Sequence, residues 1–165
     1  MKLVRFGAPG EEKPGMIDAD GKIRDLSGLI KDVDGPHLGH ATLEMLKGIH
    51  TSELPEVAPD TRLGPCVGRI GKFMCIGLNY ADHAEEAGLD VPPEPVIFNK
   101  WTSAVVGPND DVLIPRGSVK TDWEVELGVV IGTGGSYITE ANAMHHVAGF
   151  RVVNAVSERE YQIER

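Results

Sequence analysis

A chain of 165 residues, 41% hydrophobic and 25% charged, has room for one domain, or for a small domain and part of a larger one. The formal net charge of −9 argues against nucleic acid or an anionic membrane as partner, so an anionic substrate needs local positive charge or a metal. No stretch has the length and apolarity of a membrane span, "MKLVRFG" lacks the apolar core of a signal peptide, and Cys66 and Cys75 are too few for a disulfide framework or a zinc site, so a cytoplasmic protein is expected.

With only 5% aromatic residues but 20 Gly and 11 Pro, the composition favours turns and short strands. "KLVRF", "PGMID" and "KIRDLS" read as three short strands. From Leu26 to about Leu46 the pattern turns helical, broken by Gly28, Gly35 and Pro36. "SELPEVAPDTRLGP" reads as a linker by composition. His37 and His40 lie near Gly and Pro with no acidic or Cys companion at ligand spacing, and exposed loop histidines are expected there.

Beyond the linker, "KFMCIGLNY" is a strand ending at Gly77. "ADHAEEAG" is a brief helix closed by Gly88, and "VIFNK" is another strand. "VVGPNDDVLIP" reads as strand, turn and strand. "GTGGS" lacks the strand–Gly-loop–helix context and the Lys-Ser/Thr pair of a phosphate loop, so it reads as a hairpin turn. "ITEANAMHHVAGF" is expected to be a helix with Thr139 as N-cap, and its adjacent His145 and His146 cannot easily share a ligand. "FRVVNAVS" is the last strand.

The run "TDWEVELGVVIG" places Glu124 and Glu126 two apart in a strand pattern, hence on one face. Two like charges side by side are unfavourable without something positive between them. A solvated strand face is the bland account. The apolar residues around them instead favour burial, and two buried carboxylates suit a hard divalent cation with oxygen ligands. In "NYADHAEE", His83 and Glu86 are three apart on a short helix, so the carboxylate can steady the imidazole as a base. Such pairs are also common on protein surfaces.

Taken in order, "CIGLNYADHAEE", "PVIFNK" with "TSA" after it, "DWEVELGVVIG" and "AGFRVVNAVSERE" resemble the fumarylacetoacetate hydrolase family over about the last hundred residues. The N-terminal part resembles the subgroup of ureidoglycolate lyases and hydrolases of 2,4-diketo-3-deoxy sugar acids. The resemblance implies an α+β, mainly β fold. A small β-rich N-terminal domain (1–67) would precede part of a mixed β-roll catalytic domain (68–165), in a homodimer. It implies Mg²⁺, with Mn²⁺ or Ca²⁺ as alternatives, on Glu124 and Glu126, a water-activating pair in His83 and Glu86, and Lys100 at the substrate.

The activity so implied is metal-dependent cleavage of a C–C bond in a small anionic 2,4-dioxo acid. Water activated by His83 attacks the C4 carbonyl, and pyruvate and a second acid leave. Ureidoglycolate lyase or decarboxylation of a 2-oxo diacid would use the same cation logic. Two departures support an alternative of another class, a catalytically silent relative acting as a binding or assembly subunit. Where the family carries a third carboxylate ligand, this chain has Ala155, with Asp122 and Glu158 near in sequence. The family also continues past "EYQIER", so the chain is expected to be part of a longer enzyme.

Overall fold

The computed structural model describes residues 1–164, and its contacts divide them into two units: Met1–Gly68 with the segment from Val106 onward, and Arg69–Val105. The fold is α+β and mainly β. No helix among the described residues is long and apolar enough to cross a membrane.

In the larger unit, β1 (Lys2–Phe6), β2 (Lys13–Ile17) and β3 (Ile23–Asp25) form an antiparallel meander. The helical pattern read from Leu26 to Leu46 is only partly realised, as α1 (His40–Lys47). Residues 26–34 form turns, and Gly35–His37 form one turn of 3₁₀ helix in which Pro36 supplies its fixed φ. The irregular stretch still carries the core. Leu26, Ile30, Val33 and Leu38 join Met16, Leu43 and Leu46 in one buried cluster, with Leu26 wholly excluded from solvent at 0% exposure.

The Pro-rich stretch after α1 is not a loose linker. Gly7 N–H donates to the Arg62 carbonyl and Gly64 N–H to the Arg5 carbonyl, both at 2.9 Å, so it runs as an added partner along β1. An ionic network reinforces the seam. Arg62 pairs with Glu12 at 3.1 Å and Asp110 at 2.5 Å, and Arg5 pairs with Asp32 at 2.6 Å.

The later part of this unit holds β6 (Thr121–Asp122), β7 (Val125–Ile131), α3 (Glu140–Ala143), β8 (Val147–Asn154) and β9 (Ser157–Glu158). β7 pairs antiparallel with β8 over their length, and β6 with β9. "GTGGS" opens a long connection that includes α3 and is not a tight hairpin turn. The helix read from Ile138 to Phe150 stops early: Met144–His146 is 3₁₀, and Val147 onward is already strand, as its β-branched and apolar residues prefer. The strand-turn-strand expected over residues 105–115 is absent. Gly107 to Asp110 is a turn, with Asp110 accepting from Gly107 N–H at 2.7 Å.

β7 alternates cleanly. Val130, with Ala148 of β8, packs on the N-terminal core. Val125, Leu127, Val129 and Ile131, with Phe150 and Val152 of β8, form an exposed apolar face.

In the smaller unit, β4 (Met74–Gly77) pairs antiparallel with β5 (Val96–Asn99), as the sequence suggested. Between them lies α2 (Ala81–Glu86). Gly88, at φ +66°, ends α2. Its N–H donates to the Glu85 carbonyl, and Leu89 N–H reaches back to the Ala84 carbonyl at 2.9 Å.

Candidate functional site

The predicted residues fall in both units, His83, Glu86 and Lys100 in the smaller and Glu124 and Glu126 in the larger. In the smaller unit, α2 carries His83 and Glu86 one turn apart, both exposed, while Ala84 is the helix's buried residue. Asp82 accepts from the His83 N–H at 2.9 Å, a carboxylate in the first turn where the helix dipole favours it. No hydrogen bond joins the His83 ring to Glu86. Lys100 follows β5, its N–H donating to the Phe73 carbonyl at 3.1 Å.

In the larger unit, the carboxylate row is built by strand alternation. Glu124 precedes the first residue of β7 rather than lying within a continuous strand, because β6 stops at Asp122. The ladder nevertheless continues through it, since Ala155 N–H donates to the Glu124 carbonyl at 2.9 Å. Glu124 and Glu126 therefore fall on the same, half-buried side, with exposed Trp123, Val125 and Leu127 on the other. Glu126 stands across from Val153. Ala155, two residues further along the same side of that chain, is 8% exposed and presents only a methyl group.

The positive charge on this row is a side chain that the motif reading passed over. Arg159 Nη2 donates to Glu124 Oε1 at 2.6 Å and to Asp122 Oδ2 at 2.8 Å, and its Nε also reaches Asp122 Oδ2, at 3.0 Å. Hydrogen bonding to Glu124 and Asp122 raises the Arg159 guanidinium above its ordinary range, and the same contact holds the Asp122 carboxyl below its own. A signal was available in the spacing: an arginine four residues after position 155, next to a strand pair that returns it toward Asp122. Only the β6–β9 register makes it readable.

Glu158, the other carboxylate near position 155, is also committed. It accepts from Thr121 Oγ1 at 2.9 Å, from the Ser118 hydroxyl, and from Lys120 N–H at 3.1 Å. Among the described residues no group of three or more His, Cys, Asp or Glu is arranged to hold a metal ion. The donors a cation would meet are Glu124 and Glu126. They are hard oxygen ligands, and Glu126 has no hydrogen bond or ion pair to any described residue. Such a set fits, in kind, a hard divalent cation that keeps much of its water.

A cleft of about 330 Å³ lies elsewhere in this unit, lined by Leu38, Leu43, Val67, Val130, Cys66 and Arg151 among others, and none of the predicted site residues lines it. The loop-histidine expectation needs one correction. His40 is exposed, but His37 is half-buried, and its Nδ1 lies 2.6 Å from Oδ1 of Asp34, a carboxylate at 0% exposure. The acidic companion sits three residues before His37, at the N-cap of the one-turn 3₁₀ segment.

Comparison with known proteins agrees with this architecture. A hydrolase-named relative from Burkholderia ambifaria, a presumed assignment, is 61% identical over the whole chain, which spans 58% of that relative's length. The solved structure of a presumed HpcE protein from Mycobacterium smegmatis superposes with a TM-score of 0.81 at 34% identity, covering 99% of this chain and 57% of that one. The fumarylacetoacetate hydrolase of Exiguobacterium antarcticum superposes with a TM-score of 0.73 at 30% identity, covering 99% of this chain and 58% of that one. Residues 72–165 match the fumarylacetoacetate hydrolase C-terminal family, and the chain belongs to that family.

Proposed function

We propose that the chain is part of a divalent-metal-dependent hydrolase that cleaves a C–C bond of a 2,4-dioxo acid, such as a 2,4-diketo-3-deoxy sugar acid. Membership of a family with hydrolase members supports the reaction class. The observation that carries the site reading is the half-buried pair Glu124 and Glu126 on one side of β7, with Glu126 left without a partner among the described residues. A Mg²⁺ ion held there would neutralise the carboxylate of the substrate and polarise its 2-oxo group.

His83 takes a proton from water, and its exposure on α2 leaves the ring accessible for that role. The water oxygen bonds to C4, and the C3–C4 bond breaks. C3 takes up a proton to become the methyl of pyruvate, while C4 leaves as a carboxylic acid. Glu86 steadies the imidazolium, and Lys100 holds the anionic end of the substrate. We further propose Mg²⁺ as the resident ion, a homodimer as the assembly, and residues 1–67 as a small domain that contributes no metal ligand.

The test is release of pyruvate from a synthetic acylpyruvate by this chain continued with the C-terminal portion of the Burkholderia ambifaria relative. Mg²⁺-dependent turnover lost on Glu126→Gln is the expected result. Turnover indifferent to chelator, or to that substitution, refutes the metal reading. One observation favours a second reading, a silent binding or assembly subunit: the buried methyl of Ala155 beside the carboxylate pair. Absence of turnover even at saturating Mg²⁺ would favour it.

A further inference from the structure

We infer that Arg159 is a positioning residue of the proposed cation site: anchored on Asp122, it fixes Glu124 and withdraws Asp122 from the ligand set. This inference rests on the cation reading above and deepens it.

The backbone that presents Arg159 is itself held. Its N–H donates to the Lys120 carbonyl at 2.9 Å, continuing the β6–β9 pairing of Thr121 with Glu158 and Asp122 with Ser157. From that fixed start the guanidinium spends its donors in three directions. Nε and Nη2 reach Asp122, Nη2 also reaches Glu124, and Nη1 donates to Gln162 Oε1 at 2.8 Å. A planar fork of five N–H groups can serve three acceptors in one geometry, which an ammonium on a flexible stem does not reproduce. The contact with Glu124 is shielded as well, with side-chain exposures of 24% for Arg159 and 26% for Glu124, so water and salt weaken it less than a surface pair.

Of the three acidic side chains Asp122, Glu124 and Glu126, Arg159 contacts the first two and leaves Glu126 open. Because Arg159 grips Asp122 with two N–H groups, Asp122 is held as an anchor rather than as a replacement for the ligand missing at position 155. Glu158 is held by Ser118, Thr121 and the Lys120 N–H, so the two nearby carboxylates are both committed.

The experiment titrates Mn²⁺ alone into the 165-residue chain by calorimetry, for the parent and for Arg159→Lys, Arg159→Gln and Asp122→Asn. In parallel, a double-mutant cycle of Arg159→Lys with Glu124→Gln is measured by denaturant unfolding in chelator. Arg159→Lys keeps the charge and loses the fork, so it should weaken Mn²⁺ about tenfold, the scale typical of groups that orient metal ligands. Asp122→Asn should weaken it by a smaller factor, and it keeps the test open should the Arg159 variants fail to fold. The unfolding cycle should be non-additive.

Parent-like affinity in both Arg159→Lys and Asp122→Asn overturns the inference. So does tighter binding by Arg159→Gln, which would make the guanidinium a competitor of the cation. If the parent binds no Mn²⁺, the cation reading fails by itself. The metal-free cycle then decides the rest: additivity overturns the inference, and coupling upholds the fixing of Glu124 by Arg159.

Discussion

The Ala155 N–H donates to the Glu124 carbonyl at 2.9 Å, so position 155 is tied by backbone geometry to the same side of the sheet as the Glu124 and Glu126 carboxylates. A carboxylate introduced there would face them. Without a cation, three like charges would repel, and with one the site would gain an anionic ligand. Ala155→Asp should therefore lower the unfolding midpoint in chelator, recover it on adding Mg²⁺, and tighten Mg²⁺ binding by at least roughly tenfold, or about 1.4 kcal/mol. Calorimetry and thermal melts of both forms check this. Equal affinity in the two would mean that another group already completes the site.

His83 is exposed on α2 and its ring has no hydrogen bond to a described residue, so removing it should leave folding unchanged. In the chain continued with its relative's C-terminal portion, His83→Ala should reduce kcat by about 10²–10⁴-fold, the range for loss of a general base. A loss below tenfold, or a matching fall in melting temperature, would remove His83 from the proposed mechanism.

The buried Asp34 carboxylate gives His37 a structural task. His37→Ala removes a partner of that carboxylate and should cost about 1–3 kcal/mol of stability in urea unfolding. It should leave Mg²⁺ affinity unaltered. His40→Ala, at an exposed position, should change neither.

Acid should loosen the seam between β1 and the turn at Asp110. Arg62 donates to Asp110 and, with the Gly107 N–H, holds its carboxyl below the ordinary value of 3.8. A depressed folded-state pKa contributes stability that is complete above the unfolded value and lost as pH falls through the folded one. Stability should therefore decline below about pH 4, the region of the ordinary carboxylate pKa. Arg62→Met should lower stability at pH 7 and flatten the acid decline, because Asp110 then titrates nearer its ordinary value. Urea midpoints of both forms between pH 7 and pH 2 test this, and an unchanged slope would contradict it.

Leu26 is at the centre of the core although it lies in a turn. Leu26→Ala should destabilise by about 2–5 kcal/mol in urea unfolding, as a large-to-small change at a wholly buried site does. Leu29→Ala, at an exposed position in the same turn, should stay within about 0.5 kcal/mol of the parent.

Local rules were enough to read several features from the sequence. The first three strands, β4, α2 with its Gly88 stop, and the alternation that puts Glu124 and Glu126 on one side depend on neighbours within a few residues, where side-chain period and glycine conformation decide the outcome. The family resemblance was legible for a different reason: motifs in a fixed order identify a fold without deriving it. Tertiary structure decided the remainder. Residues 26–34 carry helix-like apolar spacing, yet burying Leu26, Ile30 and Val33 among strands and α1 satisfied them without a helix. The Pro-rich stretch after α1 reads as a linker because its composition is polar, but the backbone N–H groups of Gly7 and Gly64 bind it to β1. The charge on the carboxylate row came from Arg159, more than thirty residues away in sequence. Its place beside Glu124 follows from the pairing of β6 with β9, a long-range register that no local pattern specifies.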